Sequence, residues 1–112
     1  MTVPAPPADA GARHSQISVF VHTKIKYLTK CKIMMIRNGE KTVDLEREYT
    51  RCIAWAHALN ANDIPAANWP SAADDAKLLD AINAVDAYVA QSGAVNDLIK
   101  ATTKLIAAYK AP

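Results

Sequence analysis

The sequence predicts an all-α protein, a small antiparallel bundle of about four helices, and three observations support this prediction. Hydrophobic residues make up 51% of the 112 residues, but aromatic residues make up only 6%. Much of the apolar share is alanine, the best helix former. Only three glycines occur, at positions where longer segments can break. Apolar residues also recur at helical spacing in four segments. A chain of this length is typical of a single domain with one core.

The longest uninterrupted segment runs from Ser15 to Arg37 and contains no Gly, Pro, Asn or Asp. Its β-branched residues and its alternation of lysines with apolar residues also resemble a strand. Strands, however, usually have roughly 3 to 10 residues, which is far shorter than this segment. A helix gathers its apolar residues on one face: Ile17, Phe20, Val21, Leu28, Cys31 and Met35. Ser15 is the predicted N-cap, and Asn38-Gly39 is the predicted C-terminal end. The alternative is a small hairpin within residues 17–43 that turns at Asn38-Gly39, which makes the fold α+β.

Three further helices follow this segment. The second is predicted from about Val43 to Leu59 with Thr42 as its N-cap, and its inner face contains Leu45, Tyr49, Cys52, Ile53, Ala56 and Leu59. The third begins at Ser71, where Ser71 to Asp74 resembles a capping box, and it repeats Leu78, Ile82, Val85 and Val89. The fourth follows Gly93 and has the cleanest amphipathic repeat: Val95, Leu98, Ile99, Thr102, Leu105, Ile106 and Tyr109. Because the break at Gly93 is short, one bent rod is an alternative to two helices.

The domain organisation and the compartment follow from composition. Residues 1–13 are rich in proline and small residues and are predicted to be a disordered tail, and residues 14–112 are predicted to be one helical-bundle domain. No apolar run approaches the roughly 20 residues that span a bilayer, and no secretory leader is recognisable. Two cysteines without a leader fit a reducing compartment. We therefore expect a cytoplasmic protein that does not associate with membranes.

Positive charge is concentrated in the first predicted helix. Residues 13–41 contain seven basic residues and one acidic residue, whereas the rest of the chain contains six basic and ten acidic residues. The predicted anion or nucleic-acid site therefore consists of Lys26, Lys30 and Arg37, with Lys24, Lys32 and Lys41 nearby. Lysines on a helix face can neutralise nucleic-acid phosphates, but such a face is also common as a solvated surface. Lys24 and Lys32 lie near the apolar stripe, and we expect their stems to cover the core edge while their ammonium groups reach water.

No catalytic or metal-binding signature is present. Cys31 and Cys52, with His22 and His57, are the only set whose chemistry suits zinc or a nucleophile, but their spacing is wide. Buried free cysteines behave as small hydrophobic residues. The sequence also has no glycine-rich phosphate loop and no recognisable carboxylate pair. We therefore predict no enzyme activity, no cofactor and no metal.

Two tryptophans are the best candidates for contact with a partner. Trp55 lies on the flank of the second predicted helix, and Trp69 lies in the loop Asn60–Pro70. Tryptophan is enriched at interface hot spots, although both rings could instead close the end of the bundle. The predicted partner-binding set is Trp55, Trp69, Met34, Asn62 and Asn68.

The sequence thus favours a small non-enzymatic protein that binds another protein, as an inhibitor, adaptor, accessory subunit or virion component. A phage protein or a regulatory protein fits this description. The alternative is a nucleic-acid-associated protein that uses the basic first helix. Self-association into a homo-oligomer is a further option, because helical bundles often have surplus apolar faces.

Overall fold

The computed structural model describes residues 10–91 and 93–109, and these residues form four α-helices. The helices are α1 (Ala10–Arg37), α2 (Val43–Asn60), α3 (Ala72–Gln91) and α4 (Val95–Ala107), with a short 3-10 turn at Ala66–Asn68. The described residues contain no strand. The predicted all-α bundle is therefore confirmed, and the alternative hairpin within 17–43 is wrong. Because α1 is one continuous helix, a single apolar stripe is buried along it, which a hairpin could not achieve.

Helix α1 is the central element of the bundle. It packs against all three other helices, and α3 and α4 pack along each other most extensively. The last two helices therefore form an antiparallel hairpin, and the alternative of one bent rod is wrong. Helix α2 packs on α1 but makes only sparse contacts with α4. The molecule is 42 Å long, which matches the length of about 42 Å expected for the 28 residues of α1.

The core confirms the predicted apolar face of α1 and corrects that of α2. All six residues predicted on the inner face of α1 are buried. In α2, however, Tyr49 and Ile53 are 38% and 36% exposed, and Glu48 and Trp55 are buried in their place. The physical reason is a buried ion pair between Glu48 and Lys24 of α1, which turns this edge of α2 inwards. In α3, Val89 belongs to the predicted apolar repeat, but it is 54% exposed.

Two predicted helix ends are confirmed. Gly39 has a φ of 71°, and the backbone N–H of Glu40 donates to the carbonyl of Met35 at 2.9 Å. This left-handed glycine closes α1 as expected. At the start of α3, the backbone N–H of Ser71 donates to the Asp74 carboxylate at 2.8 Å, and the N–H of Asp74 donates to the Ser71 hydroxyl at 3.2 Å. This reciprocal pair is the capping box that the sequence predicts.

The beginning of α1 differs from the prediction. The helix starts at Ala10, so residues 10–13 do not belong to a disordered tail; residues 1–9 of that predicted tail lie outside the described part of the chain. Ser15 is not an N-cap, because its hydroxyl lies inside the helix and donates to the carbonyl of Gly11. The first turn is held by Arg13, which donates to Asp75 at 3.1 Å and to the carbonyl of Pro70. These contacts attach the start of α1 to the start of α3.

Thr42 precedes α2 as predicted, but it does not cap the backbone. Its hydroxyl donates to the carboxylate of Glu46 at 2.9 Å, and it makes no side-chain bond to a free backbone N–H of α2. Among the described residues, no helix combines the length and the apolar character that crossing a lipid bilayer requires.

Candidate partner-binding cleft

The predicted partner-binding residues do not form one surface. Trp55 is 3% exposed, and its ring lies 5.7 Å from Phe20 and 4.6 Å from Tyr109, measured between ring centroids. Trp55 therefore belongs to an aromatic part of the core, and its prediction as a contact residue requires correction. The cause is the rotation of α2, which turns its Glu48 and Trp55 edge towards α1 and α4.

The other members of the set lie at opposite ends of the bundle. Trp69 is half-buried: its indole N–H donates to the carbonyl of Ile64 at 3.1 Å, and its ring meets His14 edge to face at 5.7 Å. Asn62 and Asn68 are exposed in the same loop. Met34, by contrast, lies near the C-terminal end of α1, beside Tyr88 and Gly93. The loop residues and Met34 therefore cannot contact one small partner segment together.

The predicted anion site separates into three groups. Lys26, Lys30 and Arg37 are exposed on the outer face of α1, and the Lys30 ammonium lies 5.0 Å from the centre of the Tyr27 ring. Lys32 pairs with Glu46 at 3.0 Å, and Lys41 is exposed in the connection between α1 and α2. Lys24 is completely buried. Only the first group remains a continuous basic surface.

The ammonium of Lys24 is the most unusual polar group of the core. Its Nζ donates to Glu48 Oε2 at 2.6 Å, and it lies 2.9 to 3.2 Å from the carbonyl oxygens of Tyr109, Ala108 and Ile106. The carbonyls at the end of a helix have no partner within the helix, and they carry partial negative charge. Lys24 therefore satisfies the C-terminal end of α4 and neutralises Glu48. The prediction that this ammonium reaches water is wrong, because these acceptors surround it.

A signal for this pair is present in the sequence. Lys24 lies between Val21 and Leu28 on the apolar stripe of α1, and Glu48 lies between Leu45 and Cys52 on that of α2. Opposite charges at such positions in two neighbouring helices are consistent with a buried pair. Hydrophobicity alone assigns both charges to the surface, because isolated lysine and glutamate residues are almost never fully buried.

The two cysteines do not form a reactive site. Both are free and buried, and burial raises the pKa of the Cys31 thiol and raises that of Cys52 to about 12. The Cys52 Sγ lies 3.7 Å from Glu48 Oε2, and this carboxylate further disfavours a thiolate. His22 and His57 are exposed, so the four side chains do not converge. In the described part of the chain, no three His, Cys, Asp or Glu side chains are grouped as metal ligands.

The sequence did not reveal a cleft that lies between α2 and α4, where these helices make few contacts. Two concave regions of about 360 Å³ and 280 Å³ adjoin each other here and share Asp44, Thr103 and Ile106. One wall is formed by α4, which turns Leu98 and Leu105 towards the core and leaves Ile99, Thr103 and Ile106 along the cleft. This cleft, called the α2–α4 cleft below, is lined by Met35, Lys41, Val43, Asp44, Leu45, Arg47, Glu48, Arg51, Ile99, Thr102, Thr103, Ile106 and Ala107.

The rim of the α2–α4 cleft is positively charged. Three basic residues, Lys41, Arg47 and Arg51, lie along it with one exposed acidic residue, Asp44, while the other acidic residue of the lining, Glu48, is buried and paired with Lys24. The pairs within the rim are loose: Arg47 is 3.8 Å from Asp44 with both side chains largely exposed, and Arg51 is 3.9 Å from Glu48. Ion pairs of this kind contribute little stability. The two guanidinium groups can therefore exchange these loose pairs for acidic groups of another molecule.

The signal that could have predicted the α2–α4 cleft is the width of the apolar face of α4. Ile99 and Ile106 widen the stripe formed by Leu98 and Leu105, so α4 has more apolar surface than its own core requires. The position of α2 decides whether this surface is covered, and that position is not encoded in the periodicity of either helix.

Comparison of the chain with protein-family models, with curated proteins and with solved structures gives no match. The fold defines the class of the protein as a small all-α bundle. Its functional interpretation therefore depends on the geometry of the α2–α4 cleft and of the outer face of α1.

Proposed function

We propose that the protein acts without catalysis and binds another protein through the α2–α4 cleft. The observation that supports this is the open seam between α2 and α4, where apolar side chains that would normally pack between neighbouring helices line a concave surface. An inhibitor, an adaptor, an accessory subunit and a virion component can all use such a surface.

The apolar wall supplies the driving force for binding. Val43 is 56% exposed, and Ile99 and Ile106 are partly exposed where they line the α2–α4 cleft. Fully burying one aliphatic side chain of this size stabilises a complex by about 1.5 to 3 kcal/mol. Each of these partly exposed side chains would contribute a part of that free energy. A concave apolar surface with a few polar groups at its rim is the usual form of a specific binding site.

A bulky substitution in the α2–α4 cleft tests this proposal. Thr103 is exposed on the wall of the cleft, and its hydroxyl donates to the carbonyl four residues earlier. Thr29 is exposed on α1, outside the residues that line the cleft, and makes the same type of bond. Thr103→Tyr and Thr29→Tyr are therefore matched substitutions in which only the first obstructs the cleft.

The experiment compares tagged wild-type protein with both variants in a nuclease-treated native lysate and quantifies the captured proteins by mass spectrometry. We expect a stoichiometric partner that is retained by Thr29→Tyr and lost by Thr103→Tyr. Equal capture by the two variants would show that the cleft is not the binding surface. Circular dichroism of both variants verifies that each is folded.

The second candidate function is binding of nucleic acid through the outer face of α1. The observation that favours it is the exposure of Lys26, Lys30 and Arg37 on one face of a helix. The test converts these three residues to Glu and titrates duplex DNA and RNA at low salt. A control variant with Glu at Lys77, Lys100 and Lys104, which are also exposed, changes the net charge by the same amount. Binding through α1 requires a selective loss in the first variant and a steep decrease in affinity with added salt.

A further inference from the structure

We propose that the α2–α4 cleft receives an acidic amphipathic helix of a partner protein, about three turns long. This inference rests on the proposed function of the cleft and specifies the chemistry of the occupant.

The dimensions of the α2–α4 cleft fit a helix. The α2 wall extends from Val43 to Arg51, and the α4 wall extends from Ile99 to Ile106. At 1.5 Å per residue these walls are about 12 Å and 10 Å long, which corresponds to about two turns of contact and one further turn for the ends. Helices pack with their axes about 8 to 10 Å apart. A helix seated here would pack against α2 and α4 at once, along the seam where these two helices make few contacts with each other.

The positions of the apolar residues in the cleft specify the spacing of apolar residues on the bound helix. Ile99 and Ile106 line one wall, Val43 lies at one end of the cleft, and Leu45 and Met35 lie in its floor. An amphipathic helix meets such a surface with apolar anchors spaced three, four and seven residues apart. Its flanking positions then lie beside the charged rim of α2.

The charge of the rim specifies the acidic character. The rim has a net charge of +2, because Lys41, Arg47 and Arg51 are opposed by Asp44 alone and Glu48 is balanced by Lys24. Arg47 and Arg51 are four residues apart on α2, so their guanidinium groups follow the same wall. Guanidinium groups form paired hydrogen bonds with carboxylates. Glu or Asp on a bound helix would meet these donors, whereas Lys or Arg there would be repelled.

Selection from a displayed library of helical peptides tests the inference. The library has peptides of about eleven residues, which is about three helical turns, and every second flanking position is randomised. Selection uses the full chain at about 50 mM salt, where rim charges are poorly screened. Selected peptides are titrated against the wild type, against Arg47→Gln with Arg51→Gln, and against the control Lys26→Gln with Lys30→Gln. The two double variants lose equal charge from α2 and from α1. Backbone amide chemical shifts locate the bound peptide.

We expect acidic peptides that shift the amides of the α2–α4 cleft. The arginine variant should weaken their binding about five-fold or more, which corresponds to two rim pairs of about 0.5 kcal/mol each. The lysine variant should leave it unchanged. Peptides that bind the cleft but lack acidic residues would show that the occupant is not acidic, and they would leave the proposed binding function of the cleft intact. Peptides that bind elsewhere, or none that bind, would overturn both. If sedimentation shows that the wild type self-associates, and amide chemical shifts place that contact in the cleft, the occupant is a second copy of the chain instead.

Discussion

Replacing Lys24 by methionine removes the buried ammonium and keeps a side chain of similar length. Glu48 then remains as a buried carboxylate with only the looser ion pair to Arg51 at 3.9 Å, and the carbonyls of Ala108 and Tyr109 lose this donor. Removing one partner of a buried ion pair costs about 3 to 5 kcal/mol. A domain has a total stability of about 5 to 15 kcal/mol, so the variant should lose a large part of its free energy of unfolding.

The free energy of unfolding is measured by urea denaturation followed by circular dichroism. The control is Lys26→Met, which makes the same substitution at an exposed position of α1 and should change stability by less than about 0.5 kcal/mol. The double variant Lys24→Met with Glu48→Leu replaces both charges by apolar groups and should recover most of the loss, because no buried charge is left unpaired. The helix end remains without a donor, so recovery should be incomplete by about 1 kcal/mol or more.

One result would refute this account of the core. If Lys24→Met and Lys26→Met had equal stability, the Lys24 ammonium would be hydrated in solution, and Glu48 would not depend on it. If Lys24→Met does not fold, the account is still tested, because the double variant Lys24→Met with Glu48→Leu is then expected to fold.

Three further predictions concern the core and its attachment points. Burial raises the pKa of Cys52 from 9.0 to about 12, so the unfolded state binds fewer protons above about pH 9, and stability should fall between about pH 9 and about pH 12. Urea midpoints across this range should fall less steeply for Cys52→Ala than for the wild type. Arg13→Ala should lower the free energy of unfolding by about 2 kcal/mol or more because it leaves a buried carboxylate unpaired, whereas exposed Arg37→Ala should have little effect; similar urea midpoints would contradict this. Trp55→Ala should cost about 3 to 5 kcal/mol and Trp69→Ala less, since Trp69 is half-buried; thermal unfolding that ranks them in the opposite order would contradict this.

The predictions that succeeded depend on local patterns. The stripe from Ile17 to Met35 in α1 follows from the helical period, and the glycine at position 39 closes the helix through its own backbone freedom. The capping box at Ser71 and Asp74 involves two residues one turn apart. Each of these features is determined within a few residues of the chain, so it can be inferred without knowledge of the neighbouring helices.

The predictions that failed depend on contacts between helices. The inner face of α2 was misassigned because Glu48 is buried only where Lys24 can neutralise it, and these residues are 24 positions apart. The start of α1 was placed too late because Arg13 finds its partner 62 positions away, at Asp75. Hydrophobicity alone assigns such charged residues to the surface.

The sequence by itself determined that the chain is helical, that Gly39 closes α1, that α3 begins with a capping box and which stripe of α1 faces the core. These properties follow from side-chain period and backbone conformation, which act over one or two turns. Only the tertiary structure showed that α2 turns its Glu48 edge inwards and makes only sparse contacts with α4. The α2–α4 cleft results from this arrangement. The long side chain of Lys24 joins Glu48 to the end of α4, and the apolar side of α4 is left partly uncovered.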